Sequence, residues 1–160
     1  MRTSDLGGRV PALSDWWARA LRLAVGASWL YFASQKWPPR GVGWMQGLIT
    51  ANPAHEPIPG VQQILQYLVA PNWHLFAVLQ GTAETAVGVL FVLGVATRLV
   101  ALAGTLLALE LALTVAFLVT DGGFQWLYYL AVLVNFQVFV AGGGPLSVDG
   151  WRRRPRPQPG

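Results

Sequence analysis

Four polar side chains stand inside predominantly apolar stretches: Gln80 and Glu84 in one, Glu110 in the next and Asn135 in a third. A carboxyl in such surroundings can hold and pass a proton, and an amide can grip a carbonyl oxygen. The set suits a polar headgroup in an apolar setting, such as the carbonyls of a quinone. A carboxyl at the centre of a bilayer costs about 2.5–3.5 kcal/mol on insertion scales, so each needs a reason. Glu84 and Glu110 are therefore candidate catalytic, proton-handling groups, with Gln80 and Asn135 as candidate cofactor contacts. The bland alternative for each is interhelical glue, for example a protonated Glu bonded to Asn135. Two carboxyls in one apolar interior cannot both ionise cheaply, so at least one is expected to hold its proton.

Lys36 is the remaining candidate for chemistry. It is either a snorkelling lysine or a cation at the outer mouth, drawing in an anion or pairing with Glu84. At 1.5 Å of rise per residue, the two differ in expected depth by more than about 10 Å, which argues against a direct pair. His55 and His74 are the only histidines, and they do not suggest two axial haem ligands at one depth. No metal site is expected. The chain has no cysteine, which removes disulfides, thiol redox chemistry and thiolate-held clusters.

Four apolar segments must position these groups: about Trp17–Trp37, Trp73–Val95, Leu99–Val119 and Phe124–Ala141. Each approaches the roughly 20 residues a helix needs to cross hydrocarbon, where backbone amides must be satisfied within the segment. Counted inward from the outer ends, Glu84, Glu110 and Asn135 fall roughly 14–17 Å deep, in one layer near the midplane. Gly81, Glu84, Thr85 and Gly88 share one helical face, with Ala77 and Gln80 continuing it. Small residues at that spacing predict a face turned into the bundle.

Composition agrees with a lipid setting. Of 160 residues, 54% are hydrophobic and 11% charged, and mean hydropathy is +0.44. A soluble domain carries about 25% charged residues, so a water-facing coat is lacking. Arg2, Arg9, Arg19, Arg22, Arg98, Arg152, Arg153, Arg154 and Arg156 fall on one side of the spans, and only Lys36 and Arg40 on the other. That asymmetry predicts both termini on the cytoplasmic side of the cell (inner) membrane and explains the net charge of +4 without nucleic acid.

The expected fold is an all-α, integral membrane four-helix bundle over residues 16–150, N-in and C-in. A cytoplasmic tail (1–15) precedes it and a basic, Pro-rich tail (151–160) follows. The first span is read as retained rather than cleaved. The long outer loop, about residues 38–72, is broken by six prolines. Between them Val61, Ile64, Leu65, Leu68 and Val69 mark a short amphipathic helix lying on the membrane or capping the bundle.

Three places carry a family likeness. Gly26 opens an aromatic-rich run that ends Gln35-Lys36-Trp37. Glu84 is followed by Gly88 and by Gly94-x2-Thr97-Arg98. The fourth span leaves through Gly142-Gly143-Gly144-Pro145-Leu146-Ser147-Val148-Asp149. In these the chain resembles the DoxX/DoxD family of small membrane proteins over about residues 20–149. The resemblance implies a four-helix membrane protein. It also implies kinship with the small subunit of a thiosulfate:quinone oxidoreductase, which oxidises thiosulfate to tetrathionate and passes electrons to membrane quinone. Lys36, Glu84 and Arg98 are the positions it carries over, with Arg98 then a cofactor contact. The triple glycine, the long Pro-rich loop and Glu110 depart from the family pattern.

Two functions follow as expectations. One is a membrane subunit of a quinone-linked oxidoreductase, with a protein partner or a second copy to complete it. The other is a non-catalytic subunit that anchors or stabilises a larger membrane complex. A small transporter fits less well, because broken-helix repeats are lacking.

Overall fold

Runs of Leu, Val and Ala uninterrupted by proline leave helix as the one way to satisfy the backbone over most of this chain. The computed structural model describes residues 12–118, 122–142 and 148. All elements among them are helical: α1 (Ala12–Ser34), α2 (Met45–Ala51), α3 (Pro59–Ile64), α4 (Trp73–Leu93), α5 (Thr97–Leu113) and α6 (Gly122–Ala141). A 3-10 turn, Asn52–Ala54, follows α2, and a π-turn, Leu65–Val69, continues α3. Beyond Thr114 the α5 segment tightens into a further 3-10 turn, Val115–Leu118.

Among the described residues, three helical segments are long and apolar enough to cross a membrane: Trp73–Leu93, Thr97–Leu118 and Phe124–Ala141. The sequence led us to expect four. The first helix differs because Arg19 and Arg22 lie in its course, and it also begins at Ala12, inside the stretch expected to be tail. The expected tails 1–11 and 151–160 and most of the Gly-Pro exit lie outside the described residues.

The long helices pack in a circuit, α1 on α4, α4 on α5, α5 on α6 and α6 on α1. Val25, Trp29, Val87, Phe91, Val100, Ala101, Ala108 and Val138 fill the middle. Glycines set the closest approach. A methyl at Gly88 would stand 2.8 Å from Leu30 Cγ and 3.0 Å from its backbone nitrogen, and one at Gly26 would stand 2.9 Å from Phe91 Cβ. This is the small-residue packing that apolar solvent favours.

The other ends are capped in recognisable ways. Gly94 sits at φ 68°, where a side chain is strained, and its N–H donates to the Leu90 carbonyl at 2.8 Å, closing α4. Arg22, 3% exposed, donates from Nη1 to the carbonyls of Phe91 at 2.8 Å and Val92 at 3.2 Å. Its charge thus rests on the negative end of α4, which is how α1 accommodates an arginine between apolar neighbours. In the long connection, α2 packs on α4 and Leu65 is buried, while Ile64 and Leu68 stay exposed. The amphipathic segment is therefore half cap and half open face.

Candidate functional site

Glu84 owes its position to the face predicted for α4. Gly81 and Gly88 lie one turn either side of it and let α1 and the chain beyond come close. A methyl at Gly81 would meet Lys36 Cβ at 3.3 Å and Trp37 Cζ2 at 3.4 Å. Glu84 is 1% exposed, and its two oxygens face different partners. Lys36 Nζ donates to Oε2 at 2.6 Å, and Gln80 Nε2 donates to Oε1 at 3.0 Å from one turn away on the same helix.

The direct Lys36–Glu84 pair corrects the depth argument. That argument levelled the ends of all helices, yet α4 starts well beyond the last turn of α1. Trp37 Nε1 donates to Thr85 Oγ1 at 2.9 Å, so the end of α1 stands beside residues 81–85 of α4. Roughly ten residues of α4, about 15 Å, run past that level, where α2 covers part of them. Lys36 does not reach down from the surface. It lies in the turn after Ser34, beside its partner, and is 7% exposed.

The ammonium has three N–H groups; one points to Glu84 and another to the Phe32 carbonyl at 3.5 Å. Gln80 is half-buried and keeps a second N–H and a carbonyl oxygen beyond its bond to Glu84. A charged donor, an amide donor and a carboxylate thus lie together at one level of α4. Arg40 and Trp44 lie on the outer side of the same corner, the guanidinium 4.9 Å above the indole, with Arg40 Nη1 bonded to Gln35 Oε1 at 2.9 Å.

The other expected residues separate from this cluster. Asn135 does not touch Glu84. Its Oδ1 accepts from Trp29 Nε1 at 3.0 Å, and its Nδ2 donates to the Ala131 carbonyl at 2.8 Å. It packs on Gly104, whose α-carbon side also faces Val87, about one turn along α4 from Glu84. The expected layer is thus real within about a turn, but Asn135 serves as a clasp between α1, α5 and α6. Glu110 is exposed rather than sequestered, and among the described residues its carboxyl is met by Thr114, whose Oγ1 lies 3.4 Å from Oε1. It remains within electrostatic reach of Glu84 and Lys36. Arg98 is exposed at the first turn of α5, beside Gly142 and far along the helix from Glu84.

Trp37, Thr85 and Trp29 complete these two polar clusters. Thr85 was signalled by the face it shares with Glu84, whereas Trp37 at a helix end reads equally as an interfacial anchor and Trp29 carried no signal of its own. Among the described residues no group of His, Cys, Asp and Glu is placed to hold a metal ion.

A family model described as "TQO small subunit DoxD" matches residues 17–155, most of the chain. Neither the curated proteins nor the solved structures offer a match.

Proposed function

The chain belongs to the DoxD family, and from that footing we propose that it is the membrane subunit of a thiosulfate:quinone oxidoreductase. In this reading α1 is a fourth span and both termini face the cytoplasm of a cell whose inner membrane holds the protein. The observation that carries the reading is the buried ion pair Lys36–Glu84, ringed by Gln80 and Thr85, in a segment apolar enough to cross a bilayer. Ionisable groups are rare at such positions and are functional candidates by default.

Oxidation of two thiosulfates to one tetrathionate releases two electrons, and a bound quinone supplies the acceptor for them together with two protons. The roles of this chain follow from its own side chains. Lys36 would donate an N–H to a carbonyl oxygen of the headgroup, Glu84 as the carboxylate would hold the ammonium in place, and Gln80 would orient that carboxylate; the two protons taken up with the two electrons would come from water. Arg40 and Lys36 supply positive charge on the side from which a doubly anionic donor would come. Electrons reach the site through a partner subunit, since a chain without cysteine has no thiolate-held cluster.

A second reading has one observation in its favour: both Glu84 oxygens are engaged and the side chain is closed off. The pair would then fasten α4 to the end of α1, in a subunit that anchors a larger complex. Glu84→Gln in membranes containing the native partners separates the two. The catalytic reading expects thiosulfate-dependent quinone reduction to fall at least about a hundredfold, the lower range for loss of a positioned hydrogen-bond donor, with assembly intact. Full activity in an assembled complex would remove it, and loss of assembly would favour the anchor.

A further inference from the structure

One face of α5 is turned away from α4 and α6 and carries a pattern of its own. Leu99, Ala103, Leu106, Glu110 and Leu113 are all exposed. Their spacings of four, three, four and three residues are those of a heptad seam. Leu102 and Leu109, also exposed, widen it on one flank. The opposite face holds Val100, Ala101, Gly104, Ala108 and Ala112, the buried contacts within the chain.

This helix is long and apolar enough to cross a membrane. Leucines alone would sit in lipid as comfortably as against protein, so they demand no partner. Glu110 does. A carboxyl in the middle of a lipid-facing seam has donor and acceptor capacity that hydrocarbon cannot meet, and Thr114 at 3.4 Å meets little of it.

We propose that α5 pairs in parallel with α5 of a second copy of this chain, across a two-fold axis along the membrane normal. All copies insert with the same orientation, so such an axis sets every residue opposite its own counterpart at the same depth. Leu99, Leu106 and Leu113 then form apolar layers, and Ala103 lets the backbones draw together. The two Glu110 carboxyls meet between these layers and share protons in O–H···O bonds, each group able to donate and to accept. The seam is self-complementary, and no basic residue from elsewhere is required.

Because the chain contains no cysteine, single cysteines report proximity without background. In lipid vesicles holding the full chain, oxidation should give disulfide-linked dimers for Leu106→Cys and Leu113→Cys. Leu79→Cys on α4 and Leu133→Cys on α6, equally exposed positions, should give few. Glu110→Leu should weaken self-association roughly tenfold, the worth of about one interhelical hydrogen bond, whereas Glu110→Gln keeps a donor and an acceptor and should stay near the parent. Should Glu110→Leu fail to insert, the cysteine pattern with Glu110 in place decides by itself. A monomeric mass with no dependence of cross-linking on position overturns the proposal. So does an inserted Glu110→Leu that dimerises as well as the parent, or capture at residue 106 of another protein in place of a second copy.

Discussion

Lys36 Nζ stops 2.6 Å from Glu84 Oε2, reaching it from the turn beyond α1, with side chains 8% and 2% exposed. An ion pair so placed is a poor device for stability. Withdrawing two charges from water costs several kcal/mol each, and their attraction returns little beyond that. Together with Arg22, which rests on the carbonyls of Phe91 and Val92, the pair also gives the second half of α1 a charged group matched by α4 at each limit. Between Arg22 and Ser34 lie about 18 Å of helix, and the packing of α1 on α4 is fixed at both limits.

Breaking the pair from one side should therefore be worse than removing it. Lys36→Met leaves Glu84 buried without its cation, and about 3–5 kcal/mol of stability should be lost. Adding Glu84→Leu to the same chain should restore most of that, while thiosulfate-dependent quinone reduction stays abolished. Unfolding in mixed micelles, followed by the fluorescence of the eight tryptophans, measures the first effect. A double variant as unstable as Lys36→Met would contradict the account.

The glycines of the α1–α4 contact make a graded prediction. Gly88→Ala presses a methyl against Leu30 atoms that include backbone nitrogen, so the helices must part, at a cost of about 1–3 kcal/mol. Gly43→Ala and Gly47→Ala, with nothing within 4 Å of the added carbon, should cost nothing, and the change at Gly47, inside α2, should raise the unfolding midpoint slightly. Equal effects at all three positions would mean that α1 and α4 are not in the contact described.

Much of this was legible in the sequence. The apolar runs marked α4, α5 and α6. The face of Gly81, Glu84 and Gly88 did turn inward. What failed was relative placement. A sequence states how long each helix is but not how far one slides past another, so Lys36 and Glu84 were put on different levels although Trp37 stands beside Thr85. Glu110 failed for a related reason. Leucines lie on several sides of α5, and without a polar stripe nothing in the segment says which side faces its neighbours.

The clasp at Asn135 can be tested by coupling. Gly104→Ala would drive a methyl into the Asn135 carboxamide oxygen, the atom that accepts from Trp29. It should destabilise the chain by about 1–3 kcal/mol. On an Asn135→Ala background the same change should cost markedly less, with a coupling of at least about 0.5 kcal/mol between the two sites. Additive effects in the unfolding experiment would place Gly104 away from Asn135.

The proposed topology has a geometric as well as an electrostatic argument. Arg22 bonds carbonyls at the far end of α4, so the first half of α1 and the turn at Ala96 lie on one side. Lys36 and the connection bearing His55 must lie on the other. Nine Lys and Arg in the sequence against two then predict the Ala96 side to be cytoplasmic. In a chain free of cysteine, His55→Cys and Ala96→Cys, both at exposed positions, read this directly with a membrane-impermeant maleimide. His55→Cys should label in intact cells, and Ala96→Cys only after permeabilisation. The reverse pattern would turn the protein over and place Arg40 and Lys36 inside. Labelling of both from one face would mean that α4 does not cross, and the pair at Glu84 would lose the apolar setting on which its chemistry depends.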